Sequence, residues 1–291
     1  MHEILEWRGR PGLRPEVSAW LEQLAGEFAK AQAAAVETVR RIEEMCRVAR
    51  ALGHGINMKF LYDSNRRLFA IWYAVGGAVE FNSHYDLLAS ECRLASLVAI
   101  AKGDVPAEHW FALSRPQVSR PGGHVLLSWT GTMFEYLMPL LFMRAFTNSL
   151  LNHACREAVR LQVKYGQDKD VPWGVSESAY SAIDTNKIYQ YRAFGVPALA
   201  LKPALEDDVV VAPYACMLAL LVDAKVAIDN LRRLQRLDLD GPMGFYESID
   251  FSRESDRSRQ RGVAIYAYMA HHQAMSLLAL DDALHADIMR H

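Results

Sequence analysis

Three short stretches of this chain set an acid beside aromatic side chains: Ser128–Tyr136 (SWTGTMFEY), Trp173–Tyr180 (WGVSESAY) and Gly244–Asp250 (GFYESID). Carbohydrate chemistry needs that pairing. Aromatic faces pack on the apolar faces of pyranose rings, while carboxylates hydrogen-bond hydroxyls or serve as acid, base or nucleophile at a glycosidic bond. A carbohydrate-active enzyme is the first reading.

Each acid has a competing structural role. Glu177 follows Pro172, Trp173 and Gly174, lies between Ser176 and Ser178, and precedes Tyr180. A serine there could cap a helix and leave Glu177 an ordinary first-turn acid. That leaves Trp173 and Tyr180 unexplained, so a functional role is favoured. Tyr189, Gln190 and Tyr191 downstream add aromatic and amide groups suited to hydroxyl recognition. Glu91 sits among Ala89, Cys92, Leu94 and Ala95, with Asp86 upstream. If buried, it needs a partner, which Arg93 or a neighbouring helix could supply; a structural ion pair is the alternative. Glu135 lies beside Trp129, Phe134 and Tyr136 and would either bind a sugar hydroxyl or tie helices together. Glu247 and Asp250 follow Phe245 and Tyr246 in a predicted loop, where satisfying backbone groups is the other use.

His271 and His272 precede Gln273 on a predicted helix. Adjacent residues point about 100° apart there, so the pair cannot chelate a metal as an i, i+4 pair does. No metal site and no cofactor are expected; one imidazole would face a pocket while the other packs. Arg253, Arg257, Arg259 and Arg261 read as a solvated basic loop. Phosphate-binding, dinucleotide and nucleophile-elbow motifs are absent from the sequence.

The elements that must position these residues are mostly helical. Pro15 suits the first turn of a long helix reaching about Leu52, with Leu21, Leu24, Phe28, Ala31, Ala35, Val39, Ile42, Met45 and Val48 on one face. Met58–Tyr62 and Leu68–Tyr73 flank Asp63–Arg66 as a small β-hairpin. Further helices are predicted over Tyr85–Lys102, Gly131–Leu141, Leu150–Gly166, Tyr214–Val222, Asp223–Leu237 and Ala264–Ala286, separated by loops rich in Pro and Gly. Residues 1–57 form an N-terminal helical segment expected to pack on the body of the fold, residues 58–291. The 291 residues, 51% of them hydrophobic, can bury a large core. A net charge of -2 gives no global attraction to nucleic acid or anionic membrane. The cysteines, Cys46, Cys92, Cys155 and Cys216, are scattered among apolar residues and read as buried free thiols. The charged N-terminus does not resemble a signal peptide, and no apolar run is long enough to span a membrane. A soluble cytoplasmic protein without direct membrane insertion is expected.

Taken in order, Tyr85–Ser96, Ala99–Pro106 with His109–Phe111, Ser128–Pro139, Pro172–Tyr180, Tyr189–Pro197, Gly244–Phe251 and Tyr268–Leu280 resemble the glycoamylase-like cyclization module of cyclic β-1,2-glucan synthases. The resemblance runs from about Lys59 to Leu280. It implies an all-α fold, an (α/α)6 barrel, acting on linear β-1,2-glucan, which it would cut and rejoin with retained anomeric configuration. Glu177 and Glu91 match the catalytic pair; Glu177 is assigned as acid/base and Glu91 as nucleophile, with proton delivery able to pass through a substrate hydroxyl. Trp129, Glu135, Trp173, Tyr180, Gln190, Tyr246, Glu247, His271, His272 and Gln273 become candidates for sugar binding. The chain departs from the family at Ala274, where glycine is usual, at Tyr266, where arginine is expected, and in its Arg-rich loop after Asp250. The full synthases carry membrane helices and further modules, so the chain would be one piece of a larger membrane-bound synthase or a stand-alone relative.

Overall fold

A computed structural model describes residues 7, 11–76, 83–202, 208–252 and 262–285. The chain divides into two compact units, Met1–Asn57 and Met58–His291. The first is dominated by helix α1, Pro15–Gly55, which begins with Pro15 in its first turn as the sequence predicts. Ion pairs Lys30–Glu27, Arg40–Glu37 and Arg47–Glu44 run along its polar side at i, i+3 spacing. The basic loop expected at Arg253–Arg261 lies outside the described residues.

The second unit opens with a 3-10 turn, Lys59–Leu61, where the first strand of the hairpin is predicted; the hairpin itself is shorter, β1 (Tyr62–Asp63) and β2 (Leu68–Ala70), closed by Asp63 accepting from the N–H groups of Asn65 and Arg66. A third strand, β3 (His84–Tyr85), pairs with β2, with Phe69 opposite Tyr85. The helix predicted over Tyr85–Lys102 therefore starts later, as α2, Arg93–Ala101. The reason is local: Ser90 Oγ accepts from the Cys92 N–H at 3.2 Å, a side-chain turn that competes with helix. Short α3 (Glu108–Ala112) follows. One of the Pro- and Gly-bearing connections predicted as loops contributes a hairpin, β4 (Gln117–Arg120) with β5 (Gly123–Leu126).

The core helices are α4 (Met133–Leu137, continued as a 3-10 turn Met138–Leu141), α5 (Leu150–Lys169), α6 (Pro213–Leu218), α7 (Ala224–Gln235) and α8 (Ala270–Leu284). Helix α6 is the hub and packs on α4, α7 and α8. Leu137, Leu218 and Leu234 are fully buried on these faces, each contributing roughly 2 kcal/mol. Between α5 and α6 lies the hairpin β6 (Ser178–Ile183) with β7 (Tyr189–Arg192). Strand β8 (Val210–Val211) precedes α6, and the short hairpin β9 (Asp240–Gly241) with β10 (Gly244–Phe245) follows α7. Strands β11 (Ser248–Asp250) and β12 (Val263–Ile265) join β8 in a three-stranded antiparallel sheet. Residues predicted as the start of the last helix thus form β12 and a loop, because Val263–Ile265 pair with β11, and α8 begins at Ala270. The expected all-α fold holds in its coarse form: helices dominate, joined by small sheets, of which the one built from β8, β11 and β12 is largely buried. Cys155 and Cys216 are buried thiols as expected, but Cys46 is exposed and Cys92 half-buried. No helix among the described residues is long and apolar enough to cross a membrane.

Candidate active site

Glu177 stands at the mouth of the β6–β7 hairpin, and the segment leading to it is fixed by buried amides. Gln162 on α5, fully buried, donates to the Val175 carbonyl at 2.7 Å and accepts from the Val175 N–H at 2.9 Å. Asn230 on α7 brackets Trp173 in the same way, at 3.2 Å from its N–H and 2.7 Å from its carbonyl. These side chains stand in for a neighbouring strand. Gly174 is required among them: its φ is +123°, and a Cβ would come within 2.8 Å of Cys216 Sγ. Tyr214 of α6 donates to the Glu177 carbonyl at 3.0 Å and shares a 2.8 Å hydrogen bond with Ser176 Oγ.

The backbone is thus held, while the Glu177 carboxylate receives no hydrogen bond from any described residue. It is half-buried, and burial first, then the charges of Glu91 and Glu135, push its pKa up from 4.5 to about 7. Near neutral pH much of it is a carboxylic acid able to give a proton.

Glu91 lies in the turn before α2. Its oxygens accept from its own chain neighbours, Ser90 Oγ at 3.2 Å and Cys92 Sγ at 3.5 Å. Burial and then Glu91 raise the Cys92 thiol to about 12, so it stays protonated and can donate. Arg93 is not the salt-bridge partner the sequence suggested. It is buried and donates to backbone carbonyls: Ser90 at 2.9 Å, Glu135 at 2.7 Å and Tyr136 at 2.5 Å. The guanidinium fork bolts the Glu91 turn to α4. Helix α4 in turn reaches the Glu177 segment through Phe134 N–H to Ser176 Oγ at 3.1 Å.

Glu135 sits where the second of its two sequence readings, a structural tie, places it. It is 4% exposed, and Ser128 Oγ, Thr130 N–H and Oγ1, and Thr132 N–H and Oγ1 all converge on its oxygens. With Thr132 it forms a capping box on α4. Trp173 is likewise a core side chain, 4% exposed, with no face left for a ligand. Gln190 is exposed and donates to the Ile188 carbonyl at 3.4 Å. Neighbours on a strand point oppositely, so it is Tyr191 and not Gln190 that faces the acids. Gln273 ties α8 to β10 through the Phe245 carbonyl at 3.0 Å. Tyr180 meets Phe194 edge-on, with Arg192 over its ring at 5.7 Å, and Tyr246 joins Tyr266 and Tyr268 in an aromatic cluster. Trp129 is 39% exposed, with its indole N–H on Asp86 at 3.2 Å and Lys202 Nζ 5.8 Å over its ring.

Glu247 and His272 form a buried pair, Nδ1 to carboxylate 3.0 Å, each 2% exposed. Tyr214 stacks on the His272 ring at 3.8 Å, and Tyr191 Oη lies 3.4 Å from Nε2. His271 is exposed beside them. Sequence reasoning missed Tyr191, which it grouped with Gln190, and Tyr214, which reads as one more core aromatic. A pocket of about 630 Å³ lies elsewhere, lined by Arg156, Lys164, Asp223 and Val226 among others, and contains none of these residues.

A helix-dominated fold with paired acids and exposed aromatics defines a class that comparison makes specific. Residues 83–290 match the Glycoamylase family, described as "Putative glucoamylase", and the chain belongs to that family of glycoside-acting enzymes. It is 41% identical over 247 residues to the cyclic β-(1,2)-glucan synthase NdvB of Rhizobium meliloti (strain 1021), covering 84% of this chain and 9% of that protein. The chain therefore spans about a tenth of that relative's length. Among solved structures, the endo-β-1,2-glucanase of Chitinophaga pinensis, in complex with sophorotriose and glucose, matches with a TM-score of 0.61 at 14% identity, over 82% of this chain and 59% of that one. The endo-β-1,2-glucanase of Talaromyces funiculosus, in complex with sophorose, matches with a TM-score of 0.54 at 15% identity, over 80% and 52%. At such identities these likenesses describe the fold.

Proposed function

We propose that the chain cleaves and transfers β-1,2-glucan through Glu177 and Glu91 with retention of configuration. The observation that carries this is Glu177: an acid without hydrogen-bond partners among the described residues, raised to about 7 by burial and by the charges of Glu91 and Glu135. Two carboxyl groups whose surroundings make one an acid near neutrality are what glycosidic cleavage uses. Glu177 gives its proton to the departing oxygen, directly or through a substrate hydroxyl, as the C1–O bond breaks. The Glu91 carboxylate, presented by Ser90 and Cys92, forms the bond to C1. Glu177, now a carboxylate, then takes the proton of an acceptor hydroxyl, whose oxygen displaces Glu91. One glycosidic bond is broken and one made, and two inversions give retention. Water as acceptor gives hydrolysis. Trp129, Tyr246 and His271 are proposed to line the sugar path.

The family membership supports glycoside chemistry, and the relatives' names support β-1,2-glucan as substrate. The same reading makes the helical body an (α/α)6 barrel and the chain the transglycosylating part of a larger, membrane-bound synthase, working on its cytoplasmic side. The test is incubation with linear β-1,2-gluco-oligosaccharides and mass spectrometry of the products, with Glu177→Gln as control. Products one water lighter than linear chains mean cyclization; longer and shorter chains together mean transfer; shorter chains alone mean hydrolysis. An unchanged substrate overturns the proposal. Azide restores turnover to whichever of Glu91→Ala and Glu177→Ala has lost the nucleophile, and the anomer of the glycosyl azide reports the order of roles.

A further inference from the structure

We propose that Tyr191 is a further catalytic residue, whose hydroxyl oxygen, oriented by the His272–Glu247 pair, accepts a hydrogen bond from a sugar hydroxyl beside Glu177. This rests on the glucan-active reading above. The proposed direction of the hydrogen bonds starts at the buried pair. One Glu247 oxygen accepts from the Ala179 N–H at 3.2 Å and the carboxylate faces His272 Nδ1 at 3.0 Å. In the arrangement proposed, the Glu247 carboxylate accepts from Nδ1–H, which leaves the Nε2 lone pair of the ring facing outward. The group facing that lone pair is Tyr191 Oη, at 3.4 Å. The phenol proton is therefore committed inward, and the oxygen's own lone pairs are left for a donor outside. Sugar hydroxyls are such donors.

The placement is rigid where it must be and open where it must be. Tyr214 stacks on the imidazole at 3.8 Å with planes 12° apart, and the same Tyr214 donates to the Glu177 carbonyl at 3.0 Å. The ring that orients Tyr191 is thereby tied to the backbone of the proposed acid. Across the β6–β7 hairpin Tyr191 sits opposite Ala179, the residue whose N–H Glu247 holds. Glu247 and His272 are each 2% exposed, but Tyr191 is 44% exposed, so the chain of contacts runs from the interior to a reachable hydroxyl. Burial, then the charges of Glu177 and Glu247, push the phenol well above its ordinary range, which keeps it an O–H donor to His272. A buried Glu–His pair serving packing alone would not need a hydroxyl at its outer end next to Glu177.

The experiment pairs kinetics with a spectroscopic readout. With sophoro-oligosaccharides, Tyr191→Phe should lower kcat/KM by about 10- to 100-fold, the range for losing one oriented hydrogen bond at the reacting centre. In monodeoxy-sophorotrioses, removing the hydroxyl that Tyr191 holds should cost wild type a similar factor and cost Tyr191→Phe nothing more. In parallel, ¹⁵N NMR of histidine-labelled protein should show His272 protonated at Nδ1, with the Nε2 resonance alone moving in Tyr191→Phe. His272→Gln, which can still bridge Glu247 and Tyr191, should retain more activity than His272→Ala. An Nε2 shift without kinetic loss overturns the substrate contact; an unmoved Nε2 overturns the relay. Wild-type protein inert on β-1,2-glucan overturns the proposed function and the substrate contact with it, while the NMR arm still judges the relay.

Discussion

Holding Glu177 ready to give a proton should cost stability, and the cost has a pH signature. A carboxyl whose pKa rises from 4.5 unfolded to about 7 folded keeps its proton in the native state while the unfolded chain loses it. Between those values the native state binds more protons, so stability falls as pH rises. The full difference would be about 3 kcal/mol in a sealed site. Glu177 is only half-buried, and solvent screening reduces this to roughly 1–2 kcal/mol. Replacing the acid by an uncharged isostere removes the penalty. Glu177→Gln should therefore be inactive yet more stable than wild type at pH 8 by roughly 1–2 kcal/mol, or about 2–8 °C in Tm. The gain should shrink by more than half at pH 5 and vanish below pH 4. Urea or thermal unfolding of both proteins from pH 4 to 8.5 measures it. A difference that is constant with pH, or a Gln variant less stable at pH 8, would refute the reasoning.

Other consequences follow from the same contacts. Activity should have a limb falling above about pH 7 as Glu177 loses its proton, and Glu91→Gln, by removing the neighbouring charge, should lower the Glu177 carboxyl toward its ordinary range, read by ¹³C NMR. Glu135→Ala strands the Ser128, Thr130 and Thr132 donors and should cost about 3–5 kcal/mol by denaturant unfolding, with activity following folded fraction. Trp129→Ala should leave Tm within about 1–2 °C and raise KM several-fold, because its ring is 39% exposed. Gly195→Ala should fail to fold, since its Cβ would fall 1.6 Å from the Thr130 carbonyl oxygen.

What the sequence disclosed depended on how local the cause was. Helix α1 and the β1–β2 hairpin were legible because Pro15, the apolar repeat and the Asp63–Arg66 turn act within a few residues. The starts of α2 and α8 were not, because Ser90 and the β11–β12 pairing compete with helix through contacts that spacing does not encode. Glu177 was singled out from its neighbours, one of which, Trp173, is a core side chain. The contacts of Glu135 and Gln190 were not legible, because residue type says nothing about whether loop donors or a strand's far face will claim a side chain. Tyr214 left no local signal, since an aromatic in an apolar helix reads as packing.

Arg93 shows how the two proposed acids are coupled through structure as well as charge. A buried cation beside a carboxylate would ordinarily pair with it and draw its pKa down. Here the guanidinium is spent on the carbonyls of Ser90, Glu135 and Tyr136, so it fixes position without capping Glu91 with a salt bridge. Glu135, whose carbonyl Arg93 also holds, has its carboxylate already satisfied by its loop. Lysine cannot reproduce a fork that reaches two elements at once. Arg93→Lys should thus lower kcat more than it raises KM, since it loosens the Glu91 turn relative to α4 and leaves Trp129 and Tyr191 in place. Equal losses through KM alone would show that the fork supports binding, and that the spacing of the acids is set by something else.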